Sequence, residues 1–403
     1  MIKSGFRAKY ILDAAQKFSR NEIATIEVFD NPHTHTYITT EIDSTCTEDG
    51  SITLSCDACG EILAAEIIPA KCHTYVDGTC SCGDVDQAYV EGLTIAGKNV
   101  AFTADYTMVF AVSKANYKAY DEVYLEVQKK LYDGEEEYES ATLIETEMMS
   151  GMYAFRYKNF AAREIASEVQ ATVYAKDAEG NVYYGPTLIY SMREYAESRI
   201  EKTTNAYFKT MMVDFLNYGA VAQEYFEYNT DDLANKNIDA YQDLATPSRD
   251  KNDHRSGIVD TAHDILFTNF NLIFENRIAV VFATNLTDAQ KTANEGNLYA
   301  KLSYTNSENE IVEVKISLTD ENMFVKQEDR WCVQYNGPKM REMSKIITVA
   351  LYDNDGNAVS NEVTYSIESY ASAKMSSDNT ELVNLCDAMI KFGDANSAYA
   401  NNK

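Results

Sequence analysis

Apolar positions along the chain alternate in short runs, and twice the period lengthens from two to 3.6. Residues 99–103, 107–112, 123–127, 141–145, 153–157 and 169–174 are rich in Val, Ile, Phe, Tyr and Thr. That composition and length suit strands of a half-buried sheet. Ala178-Glu179-Gly180-Asn181 is a turn signal between 169–174 and 182–190, which predicts a hairpin. The period then changes: Phe208, Met211, Met212, Phe215, Leu216 and Gly219 fall on one helical face. Gly219 there either admits another backbone or marks the helix end. Closely spaced strands without long helices between them favour a β-sandwich over a parallel sheet.

The order then recurs. Tyr190-Ser191-Met192-Arg193-Glu194-Tyr195-Ala196 leads to Phe215-Leu216-Asn217-Tyr218-Gly219. Tyr365-Ser366-Ile367-Glu368-Ser369-Tyr370-Ala371 leads in the same way to Met389-Ile390-Lys391-Phe392-Gly393. Earlier anchors keep their order too: Met108-Val109-Phe110 with Val280-Val281-Phe282, Ala162-Arg163-Glu164-Ile165 with Met340-Arg341-Glu342-Met343, and Glu179-Gly180-Asn181 with Asp355-Gly356-Asn357. One fold used twice is expected, over 86–229 and 258–403. The polar stretch 230–257 would be the linker, leaving two modules that melt separately. The expected class is mainly β with terminal helices (α+β): a small Cys/His module and two homologous β-sandwich units, each closed by C-terminal helices.

Residues 1–30 pattern as a helix over 5–20 and a strand over 21–29. They read either as the tail of a preceding domain or as a small cap.

Cysteine usage changes the picture. Six of the eight cysteines lie between Cys46 and Cys82, within the segment 31–84. The run Cys46-x9-Cys56-x2-Cys59-Gly60 contains a metal knuckle, because the glycine lets the backbone turn beneath an ion bound by both sulfurs. His33-Thr34-His35-Thr36-Tyr37 and Cys72-His73-Thr74-Tyr75 flank it, and Cys80-Ser81-Cys82-Gly83 is a shorter echo. Zinc is the natural ion for thiolate and imidazole ligands together. The expected set is Cys46, Cys56, Cys59 and His73, with His35 as alternative fourth ligand; a second ion at Cys80 and Cys82 stays open. Cys72 and His73 would point to opposite faces of an extended chain, so they are not expected to share an ion. The competing reading is a disulfide-bonded or metal-free ribbon. A catalytic zinc would want an open position and a general base, and nothing marks Glu48 or Glu61 as that base.

Elsewhere the chemistry is thinner. Arg163-Glu164 and Arg341-Glu342 recur just before a strand, and bracing is the simpler reading than a ligand clamp. Asp353-Asn354-Asp355-Gly356-Asn357 places its glycine fourth rather than sixth, so a hairpin turn is expected rather than a calcium loop. Cys332 and Cys386 have apolar neighbours and read as buried. His254 and His263 would need a nucleophile brought near by folding. No nucleophile elbow, phosphate loop or dinucleotide fingerprint occurs, and no catalytic residue is expected.

The formal charge of −28 disfavours nucleic acid and anionic membrane surfaces. No apolar run reaches the roughly 18 residues of a membrane span. The first 31 residues carry Lys3, Arg7, Lys9, Lys17 and Arg20 but no apolar core of a secretory signal. The chain is then expected to be either cytosolic or a fragment of a longer exported protein.

The string Thr45-Cys46-Thr47-Glu48-Asp49-Gly50, Cys56-Asp57-Ala58-Cys59-Gly60, Ile68-Pro69-Ala70 and His73-Thr74-Tyr75 resembles the small Cys/His ribbon repeat of clostridial surface proteins. It departs at Lys71-Cys72 and at Cys80-x-Cys82. Tyr218-Gly219-Ala220 similarly resembles the closing helix of paired domains of unknown role in such proteins, and the second copy, Phe392-Gly393-Asp394, departs from it. The resemblance implies structural zinc and a secreted or cell-surface location. It implies a non-catalytic binding, adhesion or spacer role, with an accessory glycan-binding region of an extracellular carbohydrate-active enzyme as the alternative. A binder of a host protein such as immunoglobulin is the third option. A monomer is expected, and Trp331 is one candidate for a glycan platform.

Overall fold

A computed structural model of the protein describes residues 34–402 apart from 103–105, 135, 146, 150, 159, 275 and 276, and apart from the side chains of 147–149. The helix and strand expected within 1–30 therefore lie outside the described residues, as does His33. The described chain is mainly β, in several sheets, with the long helices toward the C-terminal end of each half. It divides into two compact units, Met1–Val90 and Glu91–Lys403.

In the first unit β1 (Tyr37–Ile42), β2 (Gly50–Cys56) and β3 (Ile62–Ile68) form an antiparallel sheet in the order β1-β2-β3. A two-residue pair follows, β4 (Tyr75–Val76) with β5 (Thr79–Cys80).

The second unit opens with β6 (Ile95–Phe102), β7 (Tyr106–Ser113), α1 (Lys114–Ala119), β8 (Glu122–Lys130), β9 (Tyr138–Leu143), β10 (Glu147–Met149) and β11 (Met152–Tyr157). A 3-10 turn at Ala162–Glu164 leads into β12 (Val169–Lys176), β13 (Val182–Tyr184), β14 (Leu188–Tyr190), α2 (Met192–Lys202) and α3 (Ala206–Tyr225). Its sheets run β10-β11-β7-β6 and β13-β12-β8-β9, with β14 also on β12. Alternation decides the faces: Val123, Leu125 and Val127 point inward on β8, while Tyr124 and Glu126 point out. The single strand expected over 182–190 is two. Gly185-Pro186-Thr187 interrupts it, because proline has no N–H to continue the ladder to β12.

After a 3-10 helix at Asp239–Leu244 the second half repeats the order. It comprises β15 (Phe267–Phe274), β16 (Ile278–Thr284), α4 (Asp288–Ala293), β17 (Leu298–Thr305), β18 (Ile311–Ser317), β19 (Phe324–Gln327) and β20 (Arg330–Tyr335). A 3-10 turn at Met340–Glu342, β21 (Ile347–Asp353), β22 (Val363–Tyr365), α5 (Ile367–Lys374) and α6 (Thr380–Asn401) complete it. The sheet orders β15-β16-β20-β19 and β18-β17-β21-β22 match those of the first half, strand for strand apart from β13.

Helices α3 and α6 pack on each other, contrary to the expectation of separate modules. Phe215 and Tyr218 of α3 lie 5.5 Å and 6.2 Å, ring to ring, from Phe392 of α6. Phe102 of β6 touches both Phe215 and Phe392, and buried Tyr106 donates to Met340 Sδ at 3.9 Å. The stripes are too apolar to leave in water, and each helix finds the other as well as its own sheets. Gly219 lies inside α3, so it is not the helix end. A Cβ there would stand 3.0 Å from Ile165, and one at Gly393 in α6 would stand 2.9 Å from the Met340 carbonyl oxygen. Each glycine lets its helix settle on the 3-10 turn of its own half.

The segment 230–257 is held along its length rather than left as a tether. Ala234 and Ile238 are buried, and Thr246 N–H donates to both oxygens of buried Asp214. Arg249 forks onto Asp394 at 2.7 and 2.9 Å and also reaches Glu368, and Lys251 pairs with Asp387. Ser256 pairs with Thr364 beside β22.

Candidate metal centre

Backbone pairing assembles the Cys/His residues, and the same rule operates twice. Tyr37 sits opposite Cys56 in the β1–β2 ladder. His35, two residues earlier and so on the same side as Tyr37, is thereby placed beside Cys56 and Cys59. Tyr75 sits opposite Cys80 in the β4–β5 ladder, which places His73 beside Cys80 and Cys82. Each imidazole stacks on its own tyrosine, His35 on Tyr37 at 5.8 Å and His73 on Tyr75 at 5.6 Å. Both knuckles end on a glycine of positive φ, Gly60 at 76° and Gly83 at 91°, where side chains other than glycine are strained. An acid follows each glycine, Glu61 and Asp84.

Two donor clusters result. In the first, one ligand atom from each of Cys46, His73, Cys80 and Cys82 lies within 4.8 Å of all the others. Cys46 Sγ is 3.5 Å from Cys80 Sγ, and Cys82 Sγ is 3.4 Å from His73 Nδ1. A disulfide would need sulfurs at about 2.05 Å, and no two of the described cysteines are bonded. Around an ion with metal–sulfur bonds of about 2.3 Å, a tetrahedral sulfur–sulfur edge is about 3.8 Å. The spacing and the Cys₃His chemistry therefore fit zinc. Cys46 joins from a turn in which Thr45 Oγ1 accepts from Glu48 N–H, and Lys71 N–H donates to the Thr45 carbonyl, tying that turn to the segment leading to His73. In the second cluster His35, Cys56 and Cys59 meet the same distance limit, with Cys59 Sγ 3.6 Å from His35 Nδ1.

The set of Cys46, Cys56, Cys59 and His73 is thus redistributed. Cys46 and His73 join Cys80 and Cys82, while His35 joins Cys56 and Cys59. Cys72, with φ 57°, stands outside both clusters. The signal for the division was present as His-Thr-Tyr twice and Cys-x₁₋₂-Cys-Gly-acid twice, but only strand register pairs the right copies.

The thiols of the first cluster differ. An N–H from Cys82, and then the His73 side chain, hold the Cys80 thiol down at about 5, against an ordinary 9.0. Hydrogen bonds with Cys80 and then Cys82 push Cys46 up to about 11. The two sulfurs lie 3.5 Å apart and shift in opposite directions. A cation at the centre would draw both to thiolate.

The other candidates are structural in their contacts. Glu164 is buried, accepting from Ala161 N–H at 2.7 Å and from Lys129 Nζ at 2.9 Å. Glu342 accepts from Lys339 N–H and from Ser307 N–H and Oγ–H. Asp353 accepts the Asn357 N–H at 2.8 Å, and Asp177 does the same for Asn181, so both acid-rich turns close hairpins. Cys332 and Cys386 are buried, and burial pushes Cys386 up to about 12. His263 Nδ1 pairs with Asp260, and His254 N–H donates to Ser369 Oγ. The Trp331 ring stacks on Phe324, its Nε1–H donates to Asp288, and Lys291 lies 4.8 Å over it. Among the described residues no helix is long and apolar enough to cross a membrane.

Against protein-family models and against curated proteins the chain finds no match.

Proposed function

We propose that residues 31–84 are a zinc ribbon with structural zinc, and that 86–229 and 258–403 are homologous β-sandwich-plus-helix units. The whole would be a non-catalytic binding or spacer region of a secreted or cell-surface bacterial protein. One observation carries the binding part. The same strand pair in each half sets two facing tyrosines on the outer side of its sheet, Tyr124 with Tyr174 and Tyr299 with Tyr352. Lysines lie over these rings, Lys176 over Tyr124, Lys301 over Tyr352 and Lys315 over Tyr299. Half-buried tyrosine offers apolar area and a wet hydroxyl together, which suits recognition. The shared α3–α6 core would hold the two faces in a fixed relation, as an adhesive or display scaffold needs.

An accessory glycan-binding region is the second reading, favoured by the same rings. Trp331 supports it less, because its Nε1–H is already given to Asp288 and, as the one tryptophan of the chain, it has no indole counterpart in the other half. Screening the full chain against glycan and surface-protein arrays tests the proposal. A ligand is expected whose capture is lost in the Tyr124→Ala/Tyr299→Ala double variant. Capture that survives the double variant would remove the tyrosine faces as the binding site.

A further inference from the structure

We propose that the His35 cluster is a second metal site, for zinc or a similar soft divalent ion, with the Glu61 carboxylate as its fourth ligand. This rests on the zinc reading above and extends it to two unequal sites, the second releasing its ion more readily than the first.

Two acids hold the same place in the motif. Asp84 follows Cys82-Gly83, and Glu61 follows Cys59-Gly60. In the first cluster Cys82 Sγ lies on His73 Nδ1, while Asp84 lies on the other nitrogen, Nε2, at 3.7 Å. The two nitrogens look to opposite sides of the ring, so Asp84 stands behind the histidine. It is held there by the Tyr75 hydroxyl at 2.5 Å. It stands on the outer side of the ring, where carboxylates orient ligating imidazoles, though at 3.7 Å it is not hydrogen-bonded to it. In the second cluster Cys59 Sγ and Glu61 Oε2 both lie on Nδ1 of His35, at 3.6 and 3.3 Å. Glu61 therefore stands on the Nδ1 side of the ring with Cys59, outside the 4.8 Å limit that joins His35, Cys56 and Cys59, and a rotation of its side chain would bring it to the ion. Glutamate has one methylene more than aspartate, and the second knuckle has one residue more between its cysteines. Together they bring the carboxylate round the ring.

The count agrees. Zinc takes four ligands in a closed site, and the second cluster has three from Cys and His. Softness then ranks the sites. The first offers three sulfurs and the second two sulfurs and an oxygen, while each has one buried thiol, Cys80 or Cys56, and one exposed, Cys82 or Cys59. Fewer thiolates make the second ion the weaker and the faster to exchange.

The test uses the full chain and zinc itself, competed with a chromophoric chelator. Wild type should hold two ions, lost in two steps. Glu61→Gln should weaken one step by at least about tenfold, the scale on which even outer partners of a metal act, and leave the other unchanged. Cys80→Ser should remove the tighter step. Cadmium-113 resonance of the unmutated chain gives an independent readout, with two signals expected, one of three-sulfur and one of two-sulfur type. A single ion per chain, or two steps both indifferent to Glu61→Gln, would overturn this proposal while leaving the zinc reading in place. A chain that binds no zinc at all would overturn both.

Discussion

Phe215 and Phe392 meet ring to ring across α3 and α6, with centroids 5.5 Å apart. Each comes from the closing helix of a different half, and both are fully buried. A contact of this kind couples the stabilities of the halves. Phe215→Ala is expected to cost about 3–5 kcal/mol and Met389→Ala about 2–5 kcal/mol, the range for large-to-small core changes. Residues 91–403 should melt in one cooperative transition that both variants lower. Two calorimetric transitions that shift separately would mean the helices do not share a core in solution. A Phe215→Ala/Phe392→Ala cycle should show coupling of about 0.5–3 kcal/mol.

The buried acids of the two 3-10 turns lead to a second prediction. Lys129 is 1% exposed and bridges Glu164 and Glu139, at 2.9 and 3.0 Å. Removing one partner of a buried pair leaves a charge without compensation. Lys129→Met should therefore cost about 3–5 kcal/mol in denaturant unfolding. Glu342 is met instead by hydroxyl and backbone donors, so Ser307→Ala should cost only about 1.5–3 kcal/mol, the worth of hydrogen bonds to a charge. Equal losses in the two variants would contradict the difference in how the acids are compensated.

Much of this was legible in the chain, and what was missed has a physical pattern. Period-two runs located the strands, because inward positions such as Val123, Leu125 and Val127 must be apolar. The two anchor sets gave the repeated element order for the same reason. Packing between repeats was not legible. An apolar stripe says that a helix must be covered, and it does not say whether by its own sheets or by Phe392 of the other half. The candidate metal ligands were legible by type, and their grouping was not. Sequence proximity joins Cys46 to Cys56, whereas ladder register joins Cys56 to His35 through Tyr37. The held segment 230–257 was obscured because ion pairs such as Arg249 with Asp394 look like solvated charge until folding brings them together.

Acid should probe one exposed network. The Lys339 ammonium, then the Ser307 hydroxyl and the Arg341 guanidinium, hold Glu308 at about 2, below its ordinary 4.5. The folded value is the lower one, so the contribution is present above about pH 4.5 and is lost as pH falls toward 2. Subtracting the urea midpoint of Glu308→Gln from that of wild type should give a gap that closes across this window. High salt should shrink the gap, because the pair faces water. A gap independent of pH would show that Glu308 contributes through packing alone.

Metal removal should act on the Cys/His module and spare the larger unit. Residues 34–90 hold only short strands, and β3 exposes Ile62, Leu63 and Ile67. So small a sheet has little apolar burial with which to offset the entropy of ordering its loops. Bound zinc would supply that stabilisation, since ligands that come together only on folding turn binding energy into folding energy. Adding a strong chelator should thus abolish a low-temperature transition belonging to this module, and added zinc should restore it. Cys80→Ser should do the same without chelator, because it removes the buried thiolate of the four-ligand cluster. The transition of residues 91–403 should keep its midpoint in all three conditions. Hydrogen exchange would localise the effect: amides of β2, such as Ile52 and Leu54, should lose protection on chelation, while those of β8 and β17 should not. Protection in β2 that survives complete metal removal would mean the ribbon is held by its strands alone.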